Sequence, residues 1–211
     1  MRLVLVGPPG SGKGTQARRL CERKGLRYIG TGEILREAVN QGTEVGRAAK
    51  PYLLEGKLVP DQLVNDVVAE LFNREQPRNF VTDGYPRTVD QAIAFDRILR
   101  HSVLGLDAVI NFTISDDDVV RRISGRWVCP VCKRVYHMVS NPPRVAGICD
   151  VDGAKLVQRE DDQESTVRKR LAVFHSTVDQ LLAYYAGLGL LYEVSALDLP
   201  EVIYDNIMKI L

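Results

Sequence analysis

The sequence predicts an α/β protein built on a P-loop, doubly wound sheet of about five parallel strands flanked by helices. Three observations carry this prediction. The apolar, β-branched run Leu3 to Val6 is bounded by Gly and Pro, as a buried strand is, and a helical pattern follows it. Between the two, three glycines fall within six residues (Gly7, Gly10 and Gly12), followed at once by Lys13. Short apolar runs then alternate with longer helical periodicities to the end of the chain, the pattern of parallel strands joined by crossovers.

Taken in order, the first helix carries Ala17, Leu20 and Cys21 on one face, with Cys21 read as a small buried hydrophobe. Leu26 to Ile29 is a short second strand ending at Gly30-Thr31-Gly32, and a helix starts around Thr31 with Glu33 in its first turn. A second helical stretch, Thr43 to Leu54, stops at Gly56, and Lys57 to Pro60 crosses in extended form. Asp61 is expected to cap a third helix bearing Leu63, Val64, Val67, Val68 and Leu71. Asn79 to Asp83 reads as a buried strand closed by the turn Gly84-Tyr85-Pro86-Arg87-Thr88, and an amphipathic helix follows to about Leu104. The strand Ala108 to Phe112 leads to Ser115, which caps an acidic first turn over Asp116 to Ile123. From Gly125 to Asp162 the periodicity breaks into short β-like pieces. A long helix from Gln163 to Ala186, the strand Leu190 to Val194 and a helix from Pro200 complete the chain.

Composition narrows the function. With 28 Lys and Arg against 27 Asp and Glu there is no basic excess, so nucleic acid is not an expected partner. No apolar run approaches membrane-spanning length, and the phosphate loop occupies the place of a signal peptide, so neither a membrane nor secretion is expected. Four cysteines are too few for a disulfide scaffold, and three of them cluster at Cys129, Cys132 and Cys149, which points to metal in a reducing cytoplasm. A monomer is expected.

The chemistry begins at the turn after the first strand. Its glycines let backbone N–H groups curl around an anion, and the following helix adds about half a positive charge at its N-terminus. Lys13 adds a point charge for the outer phosphates. The spacing departs from the commonest phosphate loop in one respect, because Gly14 follows the lysine and the hydroxyl comes at Thr15. Ligands of such sheets bind beyond the carboxyl ends of the strands, where Gly7, Asp83 and Arg87 fall. Asp83 is the natural acid to orient Mg²⁺ through its water shell, or else a turn residue before Gly84. Helical steps of about 100° place Arg170 within the stripe Val167, Leu171, Phe174 and Val178. A guanidinium aimed at the core needs an anion, whether a structural carboxylate or a ligand phosphate. Arg36, Arg87, Arg126 and Arg159 complete a set suited to moving a phosphoryl group between two highly charged nucleotides.

Cys129-Pro-Val-Cys132 and Cys149-Asp-Val-Asp152 are two knuckle-like pairs separated by sixteen residues, the spacing of a structural zinc ribbon with Asp152 in place of the fourth cysteine. Asp150 and His137 compete for that place, but only Asp152 keeps the two-residue gap. A redox Cys-x-x-Cys is disfavoured because no helix follows Cys132 and a third cysteine is present. Four protein ligands leave no open position, so a structural Zn²⁺ is expected rather than a catalytic one.

The motifs Gly7-Pro-Pro-Gly-Ser-Gly-Lys-Gly-Thr15, Thr31-Gly-Glu-Ile-Leu-Arg36, Gly56-Lys-Leu-Val59, Asp83-Gly-Tyr-Pro-Arg-Thr88 with Gln91, Gly125-Arg126 and Arg159-Glu-Asp-Asp-Gln-Glu-Ser-Thr-Val-Arg-Lys-Arg170 together resemble the adenylate kinase family, from end to end and in family order. The resemblance implies reversible Mg²⁺-dependent phosphoryl transfer from ATP to AMP, giving two ADP and keeping the adenine nucleotides in balance. It implies ATP against Gly10, Ser11, Gly12, Lys13, Gly14 and Thr15, with Arg122 or Arg126 near its phosphates and Val135, Tyr136 and Leu199 completing the site. It implies AMP against Thr31, Arg36, Lys57, Leu58, Val59, Gly84, Tyr85, Arg87 and Gln91, with Arg159 and Arg170 reaching in from the other side. The implied catalytic set is Lys13, Asp83, Arg87, Arg126, Arg159 and Arg170. Three regions follow from it. A core takes 1–29, 60–124 and 163–211, a helical AMP-binding insertion takes 30–59, and a small β-rich zinc lid, like the long lid of the bacterial form, takes 125–162. Glu33 and Tyr85 depart from the Asp and Phe often found there.

Base choice is partly legible. The Gln91 amide can pair with an adenine edge or complete a capping box with Thr88, and Thr31 can face the base or cap its helix. The resemblance predicts other residues at both places in UMP and CMP kinases, which favours AMP. ATP and GTP donors share these motifs. A nucleotide switch with a zinc-ribbon interaction surface is the rival class, and the Arg36–Arg87–Arg170 set and near-neutral charge count against it.

Overall fold

The computed structural model describes residues 1–138, 141–159 and 162–211, so Glu160 and Asp161 of the Arg159–Arg170 motif lie outside the described residues. In chain order the elements are β1 (Arg2–Val6), α1 (Lys13–Lys24), β2 (Arg27–Gly30), α2 (Thr31–Asn40), α3 (Glu44–Glu55), α4 (Asp61–Glu75), β3 (Phe80–Asp83), α5 (Val89–His101), β4 (Ala108–Thr113), α6 (Asp116–Ser124), β5 (Arg126–Val128), β6 (Val135–His137), α7 (Glu164–Gly187), β7 (Leu191–Ser195) and α8 (Pro200–Ile210). The five long-range strands form one parallel sheet of order β2–β3–β1–β4–β7, as the alternation of strand and helix predicts. β1 is central, with β3 on one side and β4 on the other, so the loop after it opens at the switch point of the sheet.

Alternate residues of β1 feed two cores. Val4 and Val6 face one layer with Ile29, Phe80, Phe95 and Tyr185, and Leu3 and Leu5 face the other with Ala17, Leu20, Ile110 and Ile207. The first layer holds an aromatic cluster in which Phe72 meets Phe80 edge-on at 5.2 Å and Tyr85 meets Phe95 at 5.3 Å. A smaller antiparallel pair, β5 with β6, stands apart from the sheet and has its own core of Cys129, Tyr136, Cys149 and Leu156.

Thr88 and Ser115 cap their helices as the sequence suggests, and Thr43 does so besides, each accepting a hydrogen bond from the backbone N–H three residues on. Two other candidate caps do not. Asp61 is the first residue of α4 behind an uncapped Pro60, and its carboxylate is turned away to accept from Thr88 Oγ1 at 2.6 Å and Gln91 Nε2 at 2.7 Å. Thr31 lies inside α2 rather than capping it, and its hydroxyl donates to the Gly84 carbonyl at 2.9 Å, tying α2 to the turn after β3.

Candidate active site and metal centre

The loop between β1 and α1 takes its shape from three positive φ angles, +145° at Gly7, +78° at Gly10 and +94° at Gly12. Two of these glycines also face close neighbours. A Cβ at Gly10 would stand 2.6 Å from Ile123 Cγ1, and one at Gly7 would stand 2.9 Å from Phe112 Cβ. Gly12 is the N-cap of α1, with no side-chain cap and no acid in the first turn, so the helix N–H groups are left to an anion. Lys13 folds back over its own loop, donating to the Gly7 and Pro8 carbonyls at 2.8 Å each and to Ser11 Oγ at 3.2 Å. Burial pulls the Lys13 pKa down to about 8; the Asp83 carboxylate resists this, while Arg87, Arg170 and Arg126 reinforce it. The lysine therefore lies in the field of three predicted arginines and one predicted acid. Asp83 reaches the loop itself, since a Cβ at Gly14 would stand 3.1 Å from its Oδ2. Thr15 is exposed at the start of the helix.

A second cleft opens beside this loop. Nine of the eleven residues predicted for AMP line it, namely Thr31, Arg36, Lys57, Leu58, Val59, Gly84, Arg87, Gln91 and Arg170. Tyr85 does not, because its ring is fully buried against Phe95 and its hydroxyl donates to Asn65 Oδ1 at 2.8 Å. Arg159 is half-buried and is not among the residues lining the cleft; its carbonyl accepts from the Asp162 N–H at 3.1 Å. Glycines again shape the walls. Gly84, at φ +78°, leaves the space that Arg87 fills, and a Cβ on Gly56 would meet Arg170 Cγ at 3.0 Å. Arg87 Nε donates to the Gly84 carbonyl at 2.8 Å. The Gln91 amide is fixed at both ends, its Oε1 accepting from Arg87 N at 2.8 Å and its Nε2 donating to Asp61 Oδ1 at 2.7 Å. It therefore does not close a capping box onto Thr88 N. An amide oxygen accepts twice and its nitrogen donates twice, so each end keeps one further position for a base edge.

Against Arg126 and Arg170 sits a residue the sequence reading passed over. The Asp162 carboxylate is fully buried and binds Arg126 through both oxygens, with Nε at 2.8 Å from Oδ2 and Nη2 on Oδ1. Arg170 Nη1 lies 3.8 Å from the same Oδ1. The anion that Arg170 needs on the core side is thus an internal carboxylate in this state. Other predicted ATP residues are more scattered. Arg122 Nη2 donates to the Ala196 carbonyl at 2.8 Å, Leu199 is exposed at the start of α8, and Val135 is exposed on β6. Tyr136 points into the core of the small β pair, where its hydroxyl lies 3.4 Å from Cys149 Sγ and accepts from Asp150 N at 2.8 Å.

The candidate metal ligands converge. Ligand atoms of Cys129, Cys132, Cys149 and Asp152 all lie within 4.8 Å of one another. Cys132 Sγ and Cys149 Sγ are 3.5 Å apart, and Cys129 Sγ is 3.2 Å and 3.3 Å from the two Asp152 oxygens. Those are close to the edges of a tetrahedron with metal–sulfur bonds of about 2.3 Å. Backbone N–H groups of Val131 and Cys132 point at Cys129 Sγ, and that of Val151 at Cys149 Sγ, each at 3.4 Å, which suits thiolates. The two competitors for the fourth place lie elsewhere. Asp150 Oδ1 accepts from Arg144 N at 2.8 Å, and the His137 ring packs over Gly125. The donor set fits a closed metal site, and Asp152 keeps its place in it.

A phosphate loop at the switch point, facing a second cleft lined with arginines, defines a P-loop protein of the nucleotide-kinase class. A family profile described as adenylate kinase matches residues 5–189. Over 211 residues the chain is 44% identical to the adenylate kinase of Acholeplasma laidlawii, covering 100% of this chain and 97% of that one. It is 43% identical to that of Listeria monocytogenes serotype 4a over 212 residues, at 100% and 99% coverage. It is 44% identical to that of Archaeoglobus fulgidus over 214 residues, at 100% and 98% coverage. The chain belongs to the adenylate kinase family.

Proposed function

We propose that this protein transfers the terminal phosphoryl group of ATP reversibly to AMP, giving two ADP. The observation that carries the reading is one constellation, Lys13 in the field of Arg87, Arg126, Arg170 and Asp83, set between a phosphate loop and a separate arginine-lined cleft. A hydrolase needs one nucleotide site; two sites sharing one cluster of cations suit transfer between two nucleotides.

The attacking group is the phosphate of AMP, already ionised, so no side chain need act as general base. Lys13 and the N–H groups of the α1 N-terminus hold the donor phosphates, Arg87 and Arg170 bring the acceptor phosphate into line, and Arg126 and Arg159 meet the charge that spreads over the transferred group. Magnesium, when bound with ATP, supplies charge neutralisation at the phosphates. Asp83, facing Gly14 beside Lys13, is the residue that would hold its water shell. Regions 30–59 and 125–162 act as the AMP-binding insertion and the lid, closing to exclude the water that would otherwise take the phosphoryl group. Asp162 keeps Arg126 and Arg170 paired until phosphates arrive. Gln91, oriented by Asp61, reads adenine, and Thr31 lies beside it on the cleft wall.

Zinc is the metal the three thiols and one carboxylate suit best, and it serves as a staple for 125–162. Clustered cysteines suit a reducing cytoplasm, and no helix of the described residues is long and apolar enough to cross a membrane. Reading ADP formation with AMP, UMP, CMP and GMP as acceptors tests the proposal. A preference for UMP or CMP would assign the second cleft to a pyrimidine.

A further inference from the structure

We propose that Tyr28, accommodated by the missing side chain of Gly30, is a positioning residue that aims the Asp83 carboxylate at the phosphate loop. The proposal rests on the reading of Asp83 as the group that holds the water shell of the nucleotide-bound cation. Tyr28 stands on β2, the strand paired with β3, and its hydroxyl lies 3.2 Å from Asp83 Oδ2 and 3.3 Å from Glu33 Oε1. That Oδ2 is the oxygen facing Gly14. Carboxylates only accept, and a phenol brings one proton and no charge. That one proton can serve only one of the two carboxylates at a time, and it fixes that carboxylate in angle without neutralising it. Arg18 completes the assembly. Its Nη2 contacts both Glu33 oxygens, at 2.8 and 2.9 Å, and its guanidinium lies 5.0 Å from the centre of the Tyr28 ring. Glu33 is thus matched by a cation and the phenol is clamped on its face, leaving the tyrosine to set the direction of Asp83.

Gly30 shows that the local sequence makes room for this contact. Its backbone, at φ −100° and ψ 94°, is open to any residue, so glycine is not required there by conformation. It is required by space, because a Cβ at Gly30 would stand 2.4 Å from the Tyr28 oxygen and 2.6 Å from Cζ. The far end of a tyrosine can swing aside at little cost to the fold. An alanine at 30 would therefore leave the protein folded and move the hydroxyl off Asp83.

The test uses Mn²⁺ titrated into the full-length protein with a non-hydrolysable ATP analogue, followed by electron paramagnetic resonance. Tyr28→Phe and Gly30→Ala should each weaken Mn²⁺ binding by about tenfold, the loss of one hydrogen bond to a charged group. Affinity for the analogue without metal, and the melting temperature, should stay at parental values, which a merely structural role would not leave in place. Asp83→Asn should abolish the tight Mn²⁺ site. Parental Mn²⁺ affinity in either Tyr28→Phe or Gly30→Ala, with Asp83→Asn losing it, overturns the proposal and leaves the role of Asp83 standing. Parental affinity in Asp83→Asn overturns both and places the fault in the cation reading.

Discussion

Replacing Asp162 with alanine exposes what the free protein does with its arginines. The carboxylate has no exposed surface, and Arg126 and Arg170 are 15% and 19% exposed around it. Removing one partner of a buried ion pair costs about 3–5 kcal/mol, because a desolvated charge loses its counterion. The Arg170 contact is long at 3.8 Å, and both guanidiniums keep an edge toward solvent, which places the expected loss at the low end. A loss of about 3 kcal/mol lowers the melting temperature of a chain this size by roughly 6–12 °C. On the proposed function ATP and AMP would bring phosphates to the same arginines, so saturating nucleotide should recover more than half of the deficit. Asp162→Asn keeps one acceptor oxygen but loses the charge and turns an NH₂ donor toward the other Arg126 donor, so it should recover little of the alanine deficit. Calorimetry of parent and variants with and without nucleotides reads all of this. A variant that melts with the parent, or a deficit that nucleotides leave untouched, would refute the idea that Asp162 stands in for a ligand phosphate.

Lys13→Met should leave the fold intact and slow turnover by an amount equivalent to about 2–4 kcal/mol, the usual worth of one transition-state electrostatic contact, as measured by steady-state ADP formation. The same lysine predicts a pH dependence. Burial holds it at about 8 in the free protein against 10.5 unfolded, so the unfolded chain keeps a proton that the folded one loses between those values. This group's contribution to stability therefore grows as pH rises through that window. ATP favours the charged form, so ATP affinity should be full below about pH 8 and decline above it, with proton uptake on binding that calorimetry in buffers of different ionisation heat will register. Arg87→Ala should raise the KM for AMP and lower turnover while leaving the affinity for ATP alone unchanged; a collapse in ATP affinity would exchange the two clefts. Metal removal, or Cys149→Ser, should lower the melting temperature while the folded apoprotein still forms ADP, whereas activity that vanishes in folded apoprotein and returns with zinc would make the metal part of the chemistry.

The sheet was legible because its strands are apolar runs punctuated by glycine, and the parallel order follows from the crossovers between them. The phosphate loop was legible for the same local reason. Gly7, Gly10 and Gly12 stand where φ is positive, and no other residue serves three such positions in a row of six. The convergence of Cys129, Cys132, Cys149 and Asp152 needed only a two-residue gap repeated, because knuckle geometry is a short-range property. What local reading missed lies between segments far apart in the chain. Asp61 looks like an N-cap until α5 brings Thr88 and Gln91 to it from 27 and 30 residues away. Asp162 looks like the end of an irregular stretch until β5 brings Arg126 against it across 36 residues. Tyr85, two residues before Arg87, looks like a site residue, yet the turn sends its ring into the aromatic cluster under the sheet. Side-chain direction at a turn is set by what the core has room for, and that is not written in the residues on either side.

The central claim is that one phosphoryl group passes between two nucleotides without meeting water. ATP labelled in its terminal phosphate, incubated with the protein, Mg²⁺ and AMP, tests it most directly. Label recovered in the β-phosphate of newly formed ADP, with almost none released as inorganic phosphate and none moving when AMP is left out, is the predicted result. Label appearing as inorganic phosphate at a rate indifferent to AMP would contradict the account and make the second cleft something other than an acceptor site.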